Sequence, residues 1–192
     1  MGRYASYMKE LWQLQDNRKV IGLTLFGVLF DNSKPFTPGQ QLAPFDYTDQ
    51  AIRLLSQKGY DFLIIAGQPP QKTRNLEIVD FENILGATRD MITQFGGRVK
   101  NAYYAPGTDK NDPYVKPNTG MFERAQNEGM VKWADAYYIG VEAADVKAAT
   151  KMKATPILIK TDVASKIKAF ELTHQIKVKE FATLLEFAQS LE

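Results

Sequence analysis

Apolar positions along this chain follow two different rhythms. Between Lys19 and Phe30 they run almost unbroken: Val20-Ile21-Gly22-Leu23-Thr24-Leu25-Phe26-Gly27-Val28-Leu29. A run so rich in Val, Ile and Leu, and too short for most helices of this composition, predicts a strand buried on both faces. Residues 61–66 read the same way and stop at Gly67-Gln68-Pro69-Pro70. Shorter strands are predicted over 102–105, 136–139 and 156–159, with a last edge strand around 176–178. Elsewhere apolar residues return every three or four positions. Ala51, Ile52, Leu54 and Leu55 stripe a helix over 46–58 that Gly59 stops; Phe81, Ile84, Leu85, Met91 and Ile92 stripe a longer one over 80–95 that Gly96-Gly97 stops. Helices are also predicted over 119–128, 143–152 and 180–191. Prolines and glycines mark loops over 32–44 and 106–117.

Strands thus alternate with helices. That order predicts an α/β protein: a three-layer α/β/α sandwich around a mainly parallel, Rossmann-like sheet. In such sheets ligands sit in the crevice at the carboxyl ends of the strands, near the switch point. The chain divides into an N-terminal amphipathic helix, 1–18, and one domain, 19–192. In the helix Tyr4, Tyr7, Met8, Leu11 and Trp12 form an apolar stripe of residues common at interfaces. They are the candidate contact with a protein partner or a second copy.

Composition narrows the chemistry. A length of 192 residues with 44% hydrophobic and 24% charged residues suits a single globular domain. The net charge of +2 is spread without like-charge runs, so no nucleic-acid footprint is expected. The absence of cysteine rules out thiolate catalysis and Cys-ligated zinc. No apolar run reaches the roughly eighteen residues of a membrane span, so no membrane partner is expected. The first ten residues lack the apolar core of a signal peptide, which makes a cytoplasmic location the expectation.

Four short segments, in order, carry more specific information. They are Thr24-Leu25-Phe26-Gly27 after the first strand, Ala66-Gly67 after the second, Lys116-Pro117-Asn118-Thr119-Gly120-Met121, and Tyr138-Ile139-Gly140-Val141-Glu142-Ala143-Ala144-Asp145. Together they resemble the four motifs of haloacid-dehalogenase-like phosphatases, most closely the histidinol-phosphate and heptose-bisphosphate phosphatase branch. Gly97–Pro106 and the segments 121–125 and 145–149 strengthen the resemblance, which spans roughly residues 19–190.

What the resemblance implies is a phosphatase fold with altered chemistry. The family attacks phosphorus with one Asp and uses a second, two residues on, as acid and base, with magnesium held by carboxylates. The matching positions here are Thr24, Phe26, Ala66 and Val141. Only the glycine, Gly27, survives in the first motif. A threonine hydroxyl needs an adjacent base, and the sequence offers none beside Thr24. Glu142 follows Val141 but is expected to point elsewhere. Phe26 and Val141 are expected to meet over the strand ends, where the metal would lie. The loop 105–113 lacks the Cys and His with which some relatives hold zinc. The only histidine, His174, lies far from the motifs.

The resulting expectation is a catalytically inactive, structural or protein-interaction subunit, with no catalytic residue, no metal and no cofactor. Gly27, Gly67, Lys116 and Asp145 would line a vestigial phosphate pocket. Two alternatives stand beside it. One is a sensor that binds a phosphorylated small molecule without turnover. The other is a phosphatase with relocated chemistry, using Asp31 or Asp145.

Overall fold

The structure is a computed structural model that describes residues 18–31, 33–69, 72–160 and 178–192. The N-terminal helix with its proposed contact residues, and His174, lie outside the described residues.

Six strands form one parallel sheet: β1 (Lys19–Leu23), β2 (Tyr60–Ala66), β3 (Val99–Tyr104), β4 (Tyr137–Gly140), β5 (Thr155–Ile159) and β6 (Lys179–Phe181), in the order β3-β2-β1-β4-β5-β6. Among the described residues the α-helices are α1 (Thr48–Gln57), α2 (Ile78–Gln94), α3 (Gly120–Asn127), α4 (Ala143–Lys151) and α5 (Leu184–Ser190). The period-2 alternation of a strand sends neighbours to opposite faces. On β2, Phe62 and Ile64 join the core under α1, α2 and α5, whereas Leu63 and Ile65 join the core under α3 and α4. These two cores make the three layers. Both faces of β2 are sealed, which is why all seven of its residues are buried and why its sequence does not alternate.

Several boundaries differ from the pattern-based reading, each for a local reason. The apolar run 19–30 is strand only as far as Leu23. Beyond it, the Leu25 carbonyl accepts the amides of Val28, Leu29 and Phe30, and Gly27 adopts φ 83°. A side chain at that position would be strained. The run stays apolar because this turn is itself buried: Leu25, Val28 and Leu29 are fully enclosed. β3 begins three residues earlier than its apolar stretch, because Val99–Asn101 pair with β2 while only half-buried. The last strand begins at Lys179, after the predicted 176–178; the helix predicted from residue 180 starts at Leu184, capped by Thr183 Oγ1 accepting the Glu186 amide.

The strand order runs outward to one side from β1 and to the other from β4, the two central strands, so the switch point lies between them. There the Thr24 amide donates to the Ile139 carbonyl at 3.1 Å. No described helix is long and apolar enough to cross a membrane.

Candidate functional site at the strand ends

Five segments meet at the switch point. β1 delivers Thr24 and Phe26, β2 delivers Gly67 and Gln68, and the loop after β3 delivers Gly107, Thr108 and Lys110. The turn before α3 delivers Lys116, and the β4–α4 junction delivers Val141, Glu142 and Asp145. These line one crevice with room of about 190 Å³. The four motif segments therefore converge as the sequence order implied. Gly27 sits one step back, in the turn that shapes the end of β1.

Asp145 organises the site. It is 3% exposed and caps α4 from the third helical position: Oδ2 accepts the Val141 amide at 2.9 Å and the Glu142 amide at 3.1 Å, while the Glu142 side chain accepts the Asp145 amide. Its other oxygen accepts the Tyr138 hydroxyl at 3.2 Å and Lys116 Nζ at 2.5 Å. Gly140 makes this arrangement fit, since a Cβ there would lie 2.2 Å from Asp145 Cβ. Lys116 Nζ in turn donates to the Tyr138 hydroxyl at 3.2 Å and to Thr24 Oγ1 at 3.5 Å. Gly67 borders the lysine stem, 3.8 Å from Cε to where its Cβ would be. Burial, with the charge of Asp145 adding, pushes the Tyr138 phenol well above its ordinary pKa, so it stays a hydrogen-bond donor.

Two expectations are corrected here. Thr24 is linked to a basic group: Lys116 Nζ donates both to its hydroxyl, at 3.5 Å, and to the Asp145 carboxylate. Glu142, expected to point away, lines the crevice. Two residues were missed. Tyr138 is fully enclosed between Phe122 and Trp133 and reads in sequence as one more core aromatic; its position two residues before Gly140, on the face that carries Asp145, was the available signal. Gln68 ties the crevice wall together, donating to the carbonyls of Leu76 and Pro106 and accepting the Leu76 amide.

Other candidates fall outside. Asp31 is exposed, and its carboxylate accepts the amide and hydroxyl of Ser33. Ala66 is buried and lines no part of the crevice. Phe26 and Val141 both line it, and the Phe26 ring packs on Phe36 and Phe30 at centroid distances of 5.4 and 6.4 Å.

The donor set does not fit a magnesium ion. Magnesium requires near-octahedral oxygen ligation. Among the described residues no group of three or more His, Cys, Asp or Glu could hold a metal. Asp145 already accepts four hydrogen bonds, and Val141 places hydrocarbon beside it.

The fold and this crevice define a class. The chain has the fold of the haloacid-dehalogenase-like superfamily, and its relatives in sequence are heptose-bisphosphate phosphatases. It is 23% identical over 145 residues to D-glycero-beta-D-manno-heptose-1,7-bisphosphate 7-phosphatase of Pseudomonas putida, covering 74% of this chain and 83% of that one. With the Pseudomonas aeruginosa protein of the same name it shares 25% over 119 residues, 62% of this chain and 67% of that one. In structure it is similar to the D,D-heptose 1,7-bisphosphate phosphatase of B. bronchiseptica, solved with magnesium and phosphate (TM-score 0.71, 22% identity, 89% of this chain and 96% of that one). It is similar also to the Burkholderia thailandensis enzyme (TM-score 0.64, 17% identity, 90% and 97%). No protein-family model matches the chain. These relatives overturn the expectation of an inactive structural or interaction subunit: what the chain resembles in sequence are phosphatases, and the alternative of relocated chemistry fits better.

Proposed function

We propose that the chain is a phosphomonoester hydrolase of the haloacid-dehalogenase type whose chemistry has moved from paired aspartates onto Thr24, Lys116 and Asp145. The observation that carries this reading is the unbroken chain from Thr24 Oγ1 to Lys116 Nζ to Asp145 Oδ1 at the strand ends. Thr24 stands where the family's nucleophile stands, and it has a hydrogen-bonded amine backed by a carboxylate. Hydroxyl nucleophiles activated by lysine are a known variant of the nucleophile–base pair.

The steps balance as follows. Thr24 Oγ1 attacks phosphorus, and the phosphorus–ester oxygen bond breaks in line. The hydroxyl proton passes to Lys116 Nζ as that amine yields a proton to Asp145. The leaving alkoxide takes up a proton from water. The hydroxide so formed attacks the phosphothreonine, releasing phosphate, and Asp145 returns its proton through Lys116 to Thr24 Oγ1.

A second reading, binding of a phosphorylated small molecule without turnover, is favoured by Phe26. Its hydrocarbon ring occupies the position from which a relative's acid would protonate the leaving group. Phosphate release from an aryl phosphate separates the two. Turnover is expected to survive in Thr24→Ser and to fall about a hundredfold or more in Thr24→Ala. Equal rates in both variants would exclude Thr24 as the nucleophile.

A further inference from the structure

We propose that this crevice takes up inorganic phosphate and phosphomonoesters without a divalent cation, with the Lys116 ammonium supplying the positive charge that a metal would otherwise bring. The inference rests on the reading of the crevice as a phosphoester site and specifies how that site handles charge.

A phosphoryl dianion entering this crevice beside the carboxylates of Glu142 and Asp145 requires a fixed positive charge facing it. A magnesium ion would need about six oxygen ligands at ~2.0–2.1 Å. Its side-chain oxygens are the Thr24 and Thr108 hydroxyls, the Gln68 amide oxygen, which already accepts the Leu76 amide, and the carboxylates of Glu142 and Asp145. Asp145 is committed on both oxygens to four donors, and the Glu142 carboxylate accepts the amide of Asp145 as part of the helix cap. Drawing these two carboxylates onto a metal would undo the start of α4. Phe26 and Val141 contribute only hydrocarbon.

Lys116 is arranged in the opposite way. Its side chain is 11% exposed, and that exposure opens on the crevice it lines. An ammonium has three protons. Two are held at 2.5 Å by Asp145 and 3.2 Å by Tyr138, and the third reaches Thr24 at 3.5 Å, the limit of a hydrogen bond. The third proton is therefore the one that a phosphoryl oxygen beside Thr24 takes over, at no loss to the other two. Asp145 and the buried phenol of Tyr138 hold the ammonium in place from the side away from Thr24. A Lys–Asp–Tyr cluster does the electrostatic task that the family gives to a carboxylate-held metal.

The test is a titration of the intact protein with inorganic phosphate, in chelator and again in excess magnesium, following the thermal midpoint, which rises with any ligand of the native state. The expected result is the same rise in both buffers, its loss in Lys116→Met, and no tightly bound Mn²⁺ by electron paramagnetic resonance with or without phosphate. A rise that needs magnesium, or a protein-bound Mn²⁺ signal that grows with phosphate, would overturn this inference and leave the phosphoester reading standing. No rise in either buffer would overturn both. The wild-type comparison decides the matter even where Lys116→Met does not fold.

Discussion

Each end of the parallel sheet holds one buried aspartate paired with cations, and the two are built differently. At the amino end Asp61 is fully buried where β2 begins. Arg18 Nε donates to it at 2.8 Å and Arg98 Nε at 3.0 Å, with Arg98 Nη2 adding a further bond. The arginine side chains are 27% and 43% exposed, and Arg18 also donates to the carbonyls of Ser56 and Tyr60. At the carboxyl end Asp145 faces one lysine, 11% exposed, together with a buried phenol and two backbone amides. The first arrangement pins chain segments with cations that have water at their backs. The second fixes every partner of the carboxylate inside the protein, and its ammonium partner lines a crevice. A buried ion pair near strand ends is not in itself a sign of function. What separates the two is that Lys116 faces a cavity beside a hydroxyl, whereas the arginines face solvent.

The contrast sets an order of effects. Asp145→Ala strands an enclosed lysine, a phenol and two amides at once, and is expected to cost about 3–5 kcal/mol in urea unfolding. Asp61→Ala frees two arginines that can turn to water. With that screening, its cost is expected to be about 1–2 kcal/mol, with phosphate release unchanged. The reverse order would mean that the carboxyl-end cluster is the looser one and would remove the case for a fixed ammonium.

Tyr138→Phe is the finer probe. Loss of its hydroxyl bond to Asp145 is expected to cost about 1 kcal/mol near neutral pH. The folded pKa of this phenol is raised by burial and by Asp145, so its contribution is complete below the unfolded tyrosine value of about 10 and is lost as pH rises beyond it. The alkaline fall in stability should be shallower in Tyr138→Phe than in the wild type. Tyr47 and Tyr103, both pushed up to about 12 chiefly by burial, retain part of the slope. Equal alkaline limbs would mean that Tyr138 does not feel Asp145 as its geometry implies.

The fold was legible wherever burial and backbone geometry speak together. β2 is a run of buried residues and a strand from end to end. The run after Leu23 is buried too, but it is a turn; hydrophobicity reports enclosure, and only Gly27 hinted that the backbone would reverse. The site was legible as positions rather than as chemistry. Motif order brought Thr24, Gly67, Lys116 and Asp145 together, since each follows a strand of one parallel sheet. That Lys116 would reach Thr24, and that Asp145 would hold both the lysine and its own helix cap, depends on side-chain reach across separate loops, which spacing along the chain does not encode. Judged by family positions, the missing carboxylates pointed to an inert site. Judged by contacts, a hydroxyl, an amine and a carboxylate stand in a line.

The most direct measurement is to mix the protein with an aryl phosphate, quench in acid during turnover, and map the phosphorylated peptide by mass spectrometry. A phosphothreonine ester survives such a quench. Phosphate on Thr24, absent from Thr24→Ala and from Lys116→Met, is the result expected of a nucleophile relocated onto this hydroxyl. Steady release of phosphate with Thr24 unmodified throughout would contradict it.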